Sequence, residues 1–364
     1  MHIQDLETPA LLIDLDIMER NMKRVADYAM RHNLRLRPHT KTHKTPALGR
    51  RQLDLGATGL TIAKVGEAEV MLGAQPSDLL LAYPVFGRKK LERLMEVARQ
   101  TRVTVSLDNM LCASLLSEAA SEGEVSIGVL AETDVGMGRV GVDPGTPLVD
   151  FVKTISRLPG LMWEGVAFYP GHLRITGNEG LRAMEALGST VESIRSDLRH
   201  EGFDPQVVSG GSTPTLFQSH LVRGMNEIRP GTYIFNDKNT VLAGACAWED
   251  CAASVLATVV STARPGQMII DGGSKTFSSD RLSGSDEVSF GRLMEDPAAV
   301  FRKMNEEHGY VDIRESSRKF KVGDQVRMIP NHVCVVVNLH ERMYGIRGER
   351  VEEVWKVEGR GKLQ

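Results

Sequence analysis

Cysteine is scarce in this chain. Only Cys112, Cys246, Cys251 and Cys334 occur in 364 residues, too few and too scattered for a disulfide framework, and a reducing cytoplasm is the compartment expected. Excess positive charge is also missing. Lysine and arginine total 44 against 47 acidic residues, a net charge of −3 with no basic block, which argues against a nucleic-acid partner. No apolar run nears the roughly 18 residues that span a bilayer, so no membrane partner is expected. The opening Met-His-Ile-Gln-Asp-Leu-Glu-Thr has neither the basic start nor the apolar core of a signal peptide. What remains is an ordinary globular composition, 41% apolar and 25% charged, long enough for one large domain and a smaller one.

A repeating unit is present instead: a short apolar run, a polar loop, then a helical stretch. The runs fall at 34–37, 60–63, 79–82, 103–107, 125–131, 162–168, 206–208 and 226–229. Between them, 66–72, 89–99, 109–120, 147–157 and 179–200 carry apolar residues three or four apart, the period of a helix lying on a sheet. Eight such units predict an α/β protein with a parallel (β/α)8 barrel of the TIM type over 16–235. Asp16 is the expected cap of a first helix whose apolar face is Met18, Met22, Val25 and Ala29. After residue 235 the texture changes. Runs at 253–262, 266–271, 325–330, 332–339 and 342–346 read as strands joined by Gly, Pro and Asp turns, with one helical stretch at 298–307. A second, mostly β domain is therefore expected over 236–364, joined by the N-terminal strand within 1–15.

In a parallel barrel, functional groups collect on the loops that follow the strands. Loop one is Arg37-Pro-His-Thr-Lys-Thr-His-Lys44, which places Lys41 where an amine is suited to imine chemistry. Loop four holds Asp108-Asn109, loop five Asp134 and Arg139, and loop six Tyr169 and His172. Loop seven is Ser209-Gly-Gly-Ser-Thr-Pro-Thr215 and loop eight Pro230-Gly-Thr-Tyr233. Gly-Gly-Ser-Thr offers close backbone approach, consecutive N–H donors and two hydroxyls, which suits a phosphate. Taken singly, that tetrapeptide is an ordinary turn and a loop lysine is ordinarily solvated. Taken as positions on one barrel, a lysine on loop one and a phosphate cradle on loops seven and eight are what pyridoxal 5′-phosphate requires.

These motifs resemble a known family. Glu7-Thr-Pro-Ala, the loop-one octapeptide, Gly138-Arg-Val-Gly141, Gly210-Gly-Ser-Thr213 and Arg229-Pro-Gly-Thr-Tyr233 look like the D-threonine aldolase and D-serine dehydratase group. These are fold-type III pyridoxal phosphate enzymes with an alanine-racemase-like barrel, and the resemblance runs from about residue 5 to 360. It implies the cofactor attached to Lys41, with Arg139 and Tyr169 beside its ring. It implies that Gly210, Gly211, Ser212, Thr213, Gly231 and Tyr233 hold the phosphate. A divalent metal in the C-terminal domain and a homodimer are implied as well. The metal position matches Asn331-His-Val-Cys334: His332 and Cys334 stand two apart on the expected strand, so both point to one face. A thiolate–imidazole pair favours zinc, with manganese or magnesium as alternatives.

The chain departs from the aldolases of this family twice. Cys334 stands where they usually carry an aspartate, and Ile175 where they carry a histidine six residues after the ring tyrosine. Ile175 takes no proton, so His172 is the substitute base, with Lys41 and Tyr169 the other catalytic candidates. Two activities follow. Glu306-Glu-His-Gly309 and Asn338-Leu-His340 look aldolase-like and favour cleavage of a β-hydroxy-D-amino acid to glycine and an aldehyde. Cys334 and Ile175 favour a D-serine or D-threo-3-hydroxyaspartate dehydratase releasing a 2-oxo acid and ammonia. A third reading, a small cofactor-binding protein without metal-dependent catalysis, is disfavoured by the length of the second domain.

Overall fold

The computed structural model describes residues 1–174, 177–282 and 287–364. Two compact units divide the chain. One comprises Arg24–Lys41, Pro46–Gly231 and Lys362–Gln364; the other comprises Met1–Lys23, Thr42–Thr45 and Thr232–Gly361.

The N-terminal strand β1 is Ala10–Asp14. The first unit then contributes β2 (Arg35–Leu36), β3 (Leu60–Ile62), β4 (Asp78–Leu81), β5 (Arg102–Leu107), β6 (Ile127–Glu132), β7 (Leu161–Ala167), β8 (Val207–Gly210) and β9 (Glu227–Ile228). All eight expected runs are present within two residues of their expected ends. They form one parallel sheet in the order β2-β9-β8-β7-β6-β5-β4-β3. Its two edges are joined by the N–H of Thr58 to Leu36 (2.9 Å), the N–H of Thr61 to Pro38 (2.8 Å) and a parallel bridge between His39 and Thr61. Strands β4 and β6 are buried along their whole length, as expected when helices cover a parallel sheet. Val65–Met71, Arg88–Ala98, Met110–Glu122, Thr146–Ile155 and Gly177–His200 are the covering helices.

Charge is also buried in this barrel. Arg37 bonds Asp78 (Nη1 to Oδ1, 2.7 Å) and Glu227 (Nε to Oε2, 3.0 Å), and Ser209 donates to Glu227 Oε1 at 2.6 Å. Burial alone would raise Glu227, but Arg37, Ser209 and Arg35 hold it below the ordinary glutamate value. Glu227→Ala leaves the Arg37 guanidinium buried with one partner fewer, an effect of roughly 3–5 kcal/mol. The expected result is a urea midpoint well below wild type; an unchanged midpoint would mean the network is neutral.

In the second unit, β1 is an interior strand. It pairs antiparallel with β10 (Ala253–Ser261) and parallel with β16 (Arg342–Arg347). Around them run β11 (Gln267–Ile270), β12 (Gly291–Leu293), β13 (Val300–Met304), β14 (Gly309–Asp312), β15 (Gln325–Pro330) and β17 (Arg350–Lys356) in one mixed sheet. Among the described residues no helix is long and apolar enough to cross a membrane.

Three local expectations are corrected. Asp14, two residues before Asp16, caps the first helix by accepting the N–H of Ile17 at 3.0 Å. The stretch 298–307 is β13 and its turn, because Phe301 pairs with Val311 and stacks edge-on against Phe277 at 5.0 Å. The stretch 332–339 is not a strand: Val333–Leu339 is a helix with His332 as its extended N-cap. Its β-branched valines suggest a strand. However, Val333, Val336 and Val337 are the buried ones, a helical spacing, and a distant carboxylate holds the first turn.

Candidate active site

Loop one is shaped by its own polar side chains. The His39 N–H bonds Pro230 (2.9 Å), Thr40 Oγ1 bonds the Thr61 carbonyl (3.1 Å), and the short helix Thr40–Thr42 leaves Lys41 exposed. Lys44, three residues on, differs completely. It is buried with φ +53 and donates its ammonium to the Gly359 carbonyl at 3.1 Å. His43 is fully buried and accepts the Thr45 N–H at 3.1 Å, which ties it into the loop.

Loops four to six converge within the barrel unit. Asp108 accepts the Gly141 N–H at 3.2 Å. Burial pushes Asp134 up, but the N–H groups of Gly138, Gly136 and Met137 outweigh it and hold the carboxyl below its ordinary range. This turn presents Arg139, whose guanidinium lies 4.5 Å over the Tyr169 ring. Gly171 permits the packing of that ring, since a Cβ there would stand 2.1 Å from Tyr169 Cε1. His172 is exposed, and its ring lies where a Cβ on Gly136 would meet it at 3.4 Å. The structure thus brings Arg139 onto Tyr169, and sets His172 against Gly136 of the turn that presents Arg139. Ile175 lies outside the described residues. On the other side of loop one, Lys64 sits 3.6 Å over the Tyr83 ring, while Glu67 is buried and accepts the Ala63 N–H at the start of its helix.

Loops seven and eight have the features a phosphate needs. Strand β8 ends at Gly210, packed so closely on Phe168 that a Cβ would stand 2.4 Å from that ring. Gly211 follows with φ +83, a conformation that favours glycine. The nine-residue helix Thr213–Leu221 then starts without a side-chain cap; Pro214 has no N–H and the Thr215 N–H bonds the Ser212 carbonyl (3.3 Å), so the backbone donor offered to an anion at this start is that of Thr213. Ser212 and Thr215 hydroxyls bond each other at 3.1 Å beneath it. Gly231 is buried at the end of loop eight; Tyr233, in the turn Thr232–Ile234, is buried in the other unit.

Sequence reading passed over Arg229, although it opens the Arg-Pro-Gly-Thr-Tyr motif. Its guanidinium is buried, pushed down by desolvation against the pull of Glu132. Nη2 bonds the Phe168 carbonyl at 2.9 Å, and Nη1 is buried with no hydrogen-bond partner among the described residues. An uncapped helix start and an orphaned buried donor in one unit fit an anionic, hydrogen-bonding cofactor such as pyridoxal phosphate.

The expected metal pair lies in the sheet unit. Cys334 Sγ stands 3.2 Å from the Thr42 hydroxyl and 3.7 Å from that of Thr232. A hydrogen bond that the protonated ring donates to the Cys334 sulfur is the main cause that raises His332 to about 9, so a cation binding there displaces a proton. The two side chains approach from an N-cap and the first helical turn, not from alternate strand positions. Among the described residues no cluster of three or more His, Cys, Asp or Glu forms a metal cage. The donors present therefore fit a borderline-soft divalent ion held by two protein ligands, with the remaining positions open. Two carboxylates escaped sequence reading. Asp237 accepts the Val333 N–H at 3.0 Å and the Thr240 N–H at 2.8 Å, its Asp-x-x-Thr spacing being a capping-box signal. Asp280 Oδ2 lies 3.1 Å from His332 Nδ1, and nothing local in the sequence marks it.

Comparison with known proteins matches both units. The model "Alanine racemase, N-terminal domain" covers residues 13–239, and "Putative serine dehydratase domain" covers 252–346. A D-threonine aldolase from Arthrobacter sp is 32% identical, the match covering 98% of this chain and 93% of that one. The crystal structure of D-threonine aldolase from Filomicrobium marinum aligns with a TM-score of 0.91 and 33% identity over 99% of this chain and 98% of that one. A D-threo-3-hydroxyaspartate dehydratase, solved as a cysteine-to-alanine mutant in the metal-free form, aligns with a TM-score of 0.85 and 27% identity, covering 98% of each chain.

Proposed function

Because this chain belongs to the D-threonine aldolase and D-serine dehydratase family of lyases, with its alanine-racemase-like barrel, we propose that it cleaves β-hydroxy-D-amino acids to glycine and an aldehyde, with low specificity for the β substituent. One observation carries the reading: the likeness to D-threonine aldolase runs through both units, at 33% identity over 99% of the chain. The two metal-pair residues, His332 and Cys334, belong to the second of those units.

Pyridoxal phosphate, when bound, supplies the electron sink for the substrate α-carbon. A divalent metal, zinc before manganese or magnesium, supplies Lewis acidity toward the β-hydroxyl. The residues do the rest. Lys41 offers an exposed amine for attachment. Gly210, Gly211, Ser212, Thr213, Gly231 and Tyr233 would hold the phosphate, and Arg139 and Tyr169, stacked on each other, would serve the ring. His332 and Cys334 hold the metal. The exposed imidazole of His172 takes the proton from the β-hydroxyl oxygen, which drives scission of the Cα–Cβ bond. A cytoplasmic homodimer is the assembly that accompanies this reading.

A second reading is favoured by one residue. Cys334 stands where the aldolases usually place an aspartate, and the dehydratase relative was solved metal-free as a cysteine mutant. There Lys41 Nζ would remove the α-proton, the β-hydroxyl would leave with a proton as water, and hydrolysis of the resulting enamine would give a 2-oxo acid and ammonia.

A product assay decides between them. Purified protein with pyridoxal phosphate and zinc or manganese is given D-threonine, D-serine and D-threo-3-hydroxyaspartate. Glycine with an aldehyde is expected, and His172→Ala should then lower turnover by about 10²–10⁴-fold. Ammonia with a 2-oxo acid would establish the dehydratase instead.

A further inference from the structure

Resting on the metal reading above, we propose that Asp280 is the positioning residue of the metal pair, fixing the tautomer and orientation of His332. The contact is direct, Asp280 Oδ2 to His332 Nδ1 at 3.1 Å. A carboxylate only accepts, so Nδ1 is the nitrogen that carries the proton. Once an entering ion displaces the second ring proton, the lone pair is presented at Nε2, the nitrogen left for a metal shared with Cys334.

The surrounding structure holds this arrangement from both ends. Asn331, next to His332 in the chain, donates its amide to the Asp280 carbonyl at 3.1 Å and to the Ser289 carbonyl at 2.6 Å. The Asp280 N–H donates to Ser278 Oγ at 3.0 Å, so the turn that presents the carboxylate is itself tied down. On the other side of His332, the Val333 N–H is held by Asp237. Backbone and ring are therefore fixed by different carboxylates, and of these two only Asp280 is hydrogen-bonded to the ring. The side chains of His332 and Asp280 are 41% and 43% exposed. An apolar core does not need this pair, and the ring stays open to an entering ion.

The test is zinc affinity, measured on protein stripped of metal but retaining its cofactor, by competition with a chromophoric chelator. Asp280→Ala should bind zinc about 10–100-fold more weakly than wild type, the usual effect of losing such an outer carboxylate. Asp280→Glu should recover part of the loss. The metal-free thermal midpoint and the visible absorbance of the bound cofactor should not move in either variant. Zinc affinity within twofold of wild type in Asp280→Ala, while Cys334→Ala loses the ion, overturns the role of Asp280 and leaves the metal reading intact. Wild-type zinc affinity in both Cys334→Ala and His332→Ala overturns the metal reading and this role with it. An equal loss in Asp280→Ala and Asp280→Glu, with a lowered metal-free midpoint, makes Asp280 merely structural.

Discussion

Lys41→Ala is expected to lose the visible absorbance of a lysine-bound cofactor and, with it, about four orders of magnitude or more of turnover. The physical case rests on the contrast within one loop. Lys41 sits on the turn Thr40–Thr42 with its side chain in the open. Lys44 has the same chemistry, but its ammonium is buried and spent on the Gly359 carbonyl, and its backbone is locked at φ +53. Freeing Lys44 for attachment would break that bond and strand a polar group in the interior. The complementary variant, Lys44→Met, should therefore lower stability while keeping the absorbance. Absorbance and turnover that both survive Lys41→Ala would move the attachment point to another lysine.

Removal of the metal should have the next largest effect, with a different signature. A strong chelator, or His332→Ala, is expected to lower turnover by about a hundredfold or more while the visible absorbance of the cofactor remains. The two readouts differ because different residues serve them. The phosphate cradle from Gly210 to Thr213 and Lys41 belong to the barrel unit, whereas His332 and Cys334 belong to the sheet unit. Zinc should restore the chelated protein and should not restore His332→Ala. Turnover indifferent to chelation would exclude a catalytic metal at this pair.

The sequence by itself determined the barrel. Its eight strands and the helices between them are set by local pattern, short apolar runs and a three-to-four spacing, so their positions are readable without tertiary knowledge. The loop motifs were readable for the same reason: Gly-Gly-Ser-Thr and Arg-Pro-Gly-Thr-Tyr are continuous in the chain. What only the tertiary structure decided lies where distant groups meet. Residues 332–339 have the valines of a strand, yet they coil because Asp237, 96 positions earlier, receives the first N–H of the helix. Residues 298–307 have a helical spacing, yet they extend because Phe301 finds a partner strand and Phe277. Arg229 lay in a motif already singled out, but only burial exposes its orphaned donor. Asp280 stands 52 residues from His332 in an undistinguished stretch, and only the fold brings its carboxylate to the ring. Local propensities amount to tenths of a kcal/mol per residue, and a buried carboxylate cap or an aromatic contact in the core exceeds them.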